Sequence, residues 1–250
     1  LLIGLSGIGL FASIYHPVGI AWLIAGAKRQ GMTLGVNGVF GSAGTALGPV
    51  FVGAMIDLVS WRAAFIAPGA LSILVGLALA LCWKRGLIVT AESDRAPQAK
   101  PERSAIIRVF IILSLTMTCS GFVYSGLTNT LPKVFELGLD SLTDGGYTQI
   151  GFFVSAVLGI AAFSSMLGGW LADRYSARGI YIAFWSLSVA PVFLTVSTTG
   201  NTLLAMAVVA MVSITTFGAA ENMLVARYTP FKWRSLAYGA KFVLALGVGG

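Results

Sequence analysis

Gly44-Thr45-Ala46-Leu47-Gly48-Pro49 lies inside one long apolar run, and Gly169-Trp170-Leu171-Ala172-Asp173-Arg174 closes another. The first string sets glycines four apart on one helix face, just ahead of a proline that cannot donate to the helical ladder. Neighbouring helices can approach closely there, and the helix can bend. The second string leaves a carboxylate and a guanidinium at a tight turn. Both belong to a 250-residue chain that is 57% hydrophobic and only 10% charged, with a mean hydropathy of +0.88. That is too apolar for a soluble core alone, and the apolar runs are long enough to cross a bilayer.

Eight spans are read at 1–25, 32–57, 63–83, 106–131, 147–171, 179–197, 203–226 and 235–250, each 16–26 residues against the roughly 20 that hydrocarbon requires. A β-barrel is excluded by the lack of short alternating segments. The fold class is therefore all-α, a polytopic bundle of transmembrane helices. Lys28 and Arg29, the basic residues of 84–105, Arg174 with Arg178, and Arg227, Lys232 and Arg234 fall on every second connection, while the others hold only Arg62 and Lys133. The positive-inside bias places the basic connections in the cytosol, so Lys28, Lys84, Arg178 and Arg234 are expected there, with Ser60 and Asp140 on the opposite side. Trp22, Trp61, Trp83, Trp170 and Trp233 stand near span ends, where amphipathic rings favour the interface.

The net charge of +7 follows from the same bias and carries no compact basic face, so nucleic acid is not a partner. Cys82 and Cys119 have no paired spacing, and a single histidine gives a zinc site nothing to build on; no metal and no cofactor are expected. The chain opens without Met in an apolar run and stops on another, which reads as a fragment.

Lys28-Arg29-Gln30-Gly31-Met32-Thr33-Leu34-Gly35 can be laid over Lys232-Trp233-Arg234-Ser235-Leu236-Ala237-Tyr238-Gly239: a basic turn, a helix start, and a glycine one turn in. Secondary transporters are commonly built from such repeats. Residues 84–105, with Glu92, Asp94, Pro97 and Pro101 among basic residues, read as a solvated linker between 1–83 and 106–250.

Gly44-x-x-x-Gly48-Pro49 is similar to the antiporter-associated motif of the major facilitator superfamily, and Gly169-x-Leu171-Ala172-Asp173-Arg174 resembles the second-half copy of its loop motif. The resemblance implies twelve helices in two halves, of which this chain would hold the fourth to about the eleventh: three in 1–83 and five in 106–250. The motifs depart from the family pattern at Ser176 and Ala177, with the basic charge displaced to Arg178. Ser13-Ile14-Tyr15-His16-Pro17, with Gly38-Val39-Phe40-Gly41-Ser42 and Gly48-Pro49, is further similar to fosmidomycin-resistance-type drug exporters. What the resemblance implies is a monomeric carrier in the bacterial cytoplasmic membrane that exports a small organic solute in exchange for protons.

The polar residues inside spans are the candidate machinery. His16 lies about 15 Å deep at 1.5 Å per residue and shares a face with Ser13. It could line a cavity and exchange protons, or bond a backbone carbonyl freed by Pro17. Thr116, Ser120, Tyr124 and Thr128 recur every fourth residue, with Asn129 adjacent, and make a polar stripe that must face a cavity or another helix. The resemblance implies substrate lining for this helix. Glu221, an acid inside a span, needs a partner: Arg174 or Arg178 could supply it as an inward gate, with a proton-carrying role second and a passive cap third. Thr33, Asn37, Gly41, Gly44 and Gly48 follow one face, expected as the close helix crossing that ends at Pro49. If the halves are pseudo-symmetric, Asp173 should meet the start of the span near Met32, where free amides and the helix dipole favour negative charge.

Efflux coupled to protons is thus the expected function, with proton-driven uptake of a small organic anion or nutrient as the alternative. A membrane-embedded enzyme is remote, since no base is placed beside Ser42.

Overall fold

The computed structural model describes residues 2–87, 103–139, 147–230 and 233–247. The middle of the expected linker, Asp140 and Lys232 lie outside them. Among the described residues every regular element is helical. Helix α1 (Leu2–Ile14) passes through a π-helical turn (Tyr15–Gly19) into α2 (Ile20–Gly26). Then come α3 (Gln30–Leu58), α4 (Ala63–Lys84), α5 (Arg103–Gly138), α6 (Tyr147–Arg174), α7 (Ala177–Ser197), α8 (Gly200–Tyr228) and α9 (Arg234–Phe242), the last continued by a second π turn (Val243–Gly247). Seven of the helical segments are long and apolar enough to cross a membrane. The eighth expected span corresponds to α9 and its π turn.

Pro17 explains the first π turn, because the wider i→i−5 spacing absorbs the N–H that proline lacks. Pro49, Pro68 and Pro191, by contrast, sit inside helices that continue through them. The span expected at 106–131 runs on to Gly138 through Pro132, and Lys133 pairs with Glu136 at 2.8 Å in that extension.

The core centres on α6 and α8, the most buried of the membrane-length helices; α4 exposes nearly its whole apolar surface, as a helix facing hydrocarbon does. Helix α6 lies between α3 and α8, and α7 covers α8. Two consecutive glycines permit this sandwich. A Cβ on Gly168 would strike the backbone of Thr216 on α8, and one on Gly169 would strike Gly31 on α3. A polar seam joins α6 to α8: Thr215 Oγ1 donates to the carbonyl of Ala161 (2.8 Å), and the hydroxyls of Ser164 and Thr215 meet at 2.5 Å.

Candidate functional site

Asp173, in the last turn of α6, caps α3 from outside. Its Oδ1 accepts from the Gly31 amide (2.8 Å) and its Oδ2 from the Met32 amide (2.7 Å). Arg29 offers no side-chain cap of its own, so two of the orphan donors at that helix start are satisfied by a residue 141 or more positions away. The carboxylate also stands where the helix dipole favours it. Arg174 lies over the Trp170 ring at 5.4 Å, and Arg178 is exposed on the first turn of α7.

The crossing beneath this clamp uses a different face of α3 from the one expected. A Cβ on Gly35 would come within 2.7 Å of the Ser165 carbonyl and 3.0 Å of Met166 Cα; one on Gly38 would come within 3.0 Å of Ser165 Cβ. Gly41, Gly44 and Gly48 would meet nothing within 4 Å. The packed face, formed by Gly31, Gly35 and Gly38, is thus centred roughly 130° round the helix from the expected one. Both faces carry small residues at helical spacing, and spacing alone does not say which one a partner covers. Asn37 instead accepts a hydrogen bond from Tyr15 (2.6 Å), tying the first π turn to α3. Thr33 is half-buried, and Gly151 of α6 approaches the Pro49 carbonyl. At the far end of the same helix pair, Thr148 on the first turn of α6 donates to Asp57 on the last turn of α3.

Glu221 does not reach Arg174 or Arg178. Its Oε2 pairs with Lys241 Nζ at 2.6 Å, both side chains 6% exposed, and the Tyr181 hydroxyl donates to Oε1 at 3.4 Å. Depth is the reason. Glu221 lies seven residues before the end of α8 at Tyr228, and Lys241 seven after the start of α9 at Arg234, each about 10 Å from its helix end. The two arginines are at the surface turn. Lys241 also donates to Asn222 Oδ1 (2.5 Å), and the Tyr238 hydroxyl donates to the Asn222 carbonyl (2.8 Å). Sequence reasoning passed over Lys241, although a lone lysine inside an apolar span opposite a lone glutamate in the neighbouring span is the signal that marks such a pair.

His16 closes this cluster on one side. Its ring stacks on Phe242 at 3.9 Å and meets Tyr15 edge-on at 5.3 Å. Nδ1 is buried without a hydrogen-bond partner, so it does not bond a carbonyl freed by Pro17. Ser13 is exposed and donates to the Leu10 carbonyl of its own helix. The α5 stripe divides. Thr116 donates to Ile112, within its own helix, and stands near Tyr181. Ser120 lines a cavity of about 160 Å3 between α5, α7 and α8. Tyr124 stands near Thr45 of α3 and Thr128. Thr128 Oγ1 is buried without a partner, and Asn129 is exposed. Two clusters therefore stand out, the Asp173 clamp and an intramembrane charge cluster around Lys241 with His16 and Glu221, while Ser13, Ser120, Tyr124, Thr128 and Asn129 join neither.

Membrane-length helices packed through glycine contacts, a buried ion pair and a carboxylate clamp between helices distant in sequence define a polytopic helical membrane protein. The chain belongs to the Major Facilitator Superfamily, whose family model matches residues 1–250. It is accordingly an integral membrane protein of a family of secondary transporters. No curated protein and no solved structure matches it.

Proposed function

We propose that this protein moves a small organic solute across the bacterial cytoplasmic membrane by alternating access, coupled to protons, as a monomer whose two units are 1–83 and 106–250, joined by 84–105. The observation that carries the proposal is the clamp of Asp173 on the Gly31 and Met32 amides. It joins the two units at the end bearing the basic connections, so it must break for that end to open. Asp173 is then the gating residue, and Arg174 and Arg178 flank it. His16 and the α5 residues Thr116, Ser120, Tyr124 and Thr128 line the path of substrate or proton, with Ser13 and Asn129 at its margins.

Export in exchange for protons is the direction the antiporter-like string at Gly44, Gly48 and Pro49 supports. One observation favours the second reading, uptake of an organic anion: the intramembrane ammonium of Lys241. Proteoliposomes with an imposed proton gradient separate the two. Solute movement against the proton flux supports export, and movement with it supports uptake. Equilibration that ignores the gradient would overturn proton coupling.

A further inference from the structure

We propose that Lys241 anchors a site for a small organic anion with an apolar body, and that the anion takes the place Glu221 holds at its ammonium. The inference rests on the transporter reading and names the class of solute.

A cavity of about 590 Å3 lies between α5, α8 and α9, bounded by the turn at Thr229, Pro230 and Trp233 and by Lys241. That volume falls in the ordinary range of small-molecule sites, about 300–1,000 Å3. Leu113 and Met117 of α5 and Val225 of α8 contribute to apolar walls, and Lys241 is the one charged residue lining the cavity among the described residues. Apolar walls with a single cation select for an apolar body carrying one negative group. A cationic solute would be repelled, and a neutral one would gain nothing from the ammonium.

The ammonium can donate three protons. Glu221 and Asn222 take two of them, at 2.6 and 2.5 Å. The pair is not explained by stability, since exchanging a buried ion pair for apolar residues of similar shape is often neutral or stabilising. Lys241 already holds one carboxylate, that of Glu221, which does not itself line the cavity, so an anion entering from the cavity side would compete with Glu221 for the ammonium. Removing the competitor should therefore tighten anion binding.

Three probes with nearly the same body and different heads test this: phenylacetate, phenylacetamide and phenethylamine. Binding is read from tryptophan fluorescence, Trp233 being at the cavity, on the full chain in nanodiscs of zwitterionic phosphatidylcholine. Phenylacetate should bind at least about tenfold more tightly than the other two, and Glu221→Gln should strengthen it by about tenfold again. Lys241→Gln should abolish the preference, and so should the double variant with Glu221→Gln, which leaves no unpaired charge to unfold the bundle. Lys241→Arg should retain it. Equal binding of the three probes, or a preference that survives in the folded double variant, would overturn the proposal. Loss of phenylacetate binding on adding anionic phosphatidylglycerol would overturn it too, by assigning the site to a lipid headgroup. None of these readings involves transport, so a failure here leaves the gradient assay standing, and the reverse also holds.

Discussion

Asp173 is exposed, yet both its carboxylate oxygens are engaged on amides of another helix. A charge at a helix N-terminus contributes about 0.3–1 kcal/mol when exposed and up to about 2 when partly buried. Asp173→Asn should remove that much from the clamped state and slow turnover. This contact was legible in the sequence only through the expected pseudo-symmetry of the two halves, which aims the loop carrying Asp173 at the free amides that start α3. The partner of Glu221 was legible only in part: Lys241, alone in the next apolar span, carried the signal, but sequence gives depth along one helix and not which neighbouring helix faces it. His16→Gln should leave the fold intact and change the pH dependence of transport, since glutamine keeps hydrogen bonding and loses titration. An unchanged pH profile at normal rate would reduce His16 to a ring packed on Phe242. Gly35→Ala should destabilise by about 1–3 kcal/mol through overpacking against Ser165. Gly48→Ala, facing open space, should stay within about 0.5 kcal/mol. Denaturation of both variants checks the assignment of faces, and a reversed order would refute it.

At the scale of elements, the apolar runs located all seven membrane-length helices, since burial in hydrocarbon leaves a signal about 20 residues long; the eighth expected span, at α9, is not among those seven. Ends were harder. The reading stopped α5 at Leu131, ahead of Pro132, but the helix continues to Gly138. The small-residue pattern identified α3 as a close-packing helix and chose the wrong side of it, because its partner's glycine, Gly169, lies more than 100 residues away in sequence. Helices α3 and α6 run antiparallel with a carboxylate at each end of the pair: Asp173 on the start of α3, and Asp57 on Thr148 at the start of α6. Asp57→Ala should therefore loosen the Thr148 end and leave the Gly31 end closed. Hydrogen exchange would show faster exchange in the first turn of α6 with the first turn of α3 unaltered. Equal effects at both ends would mean that the pair moves as one rigid block.

For the whole molecule, the alternation of basic connections predicts sidedness. Cysteines at positions 28, 84 and 178 should resist an impermeant thiol reagent applied from outside intact cells, and one at position 60 should react. Labelling at 28 or 178 would invert the topology. Arg234 is a poor probe because it is buried at the start of α9. Substrate class was the least legible property, because it depends on which polar side chains from separate spans converge. Lys241, Glu221 and His16 come from three segments and gain meaning only together. The central claim is that the clamp of α6 on α3 holds one of two states of the carrier. The measurement that bears on it most directly is the distance distribution between spin labels at positions 28 and 178, taken by electron paramagnetic resonance in lipid, with Asp173 and with Asn in its place. The account predicts a dominant short-distance population that moves toward longer distances in the Asn variant, by several-fold in ratio for a loss of about 1 kcal/mol. Identical distributions in the two proteins would contradict it.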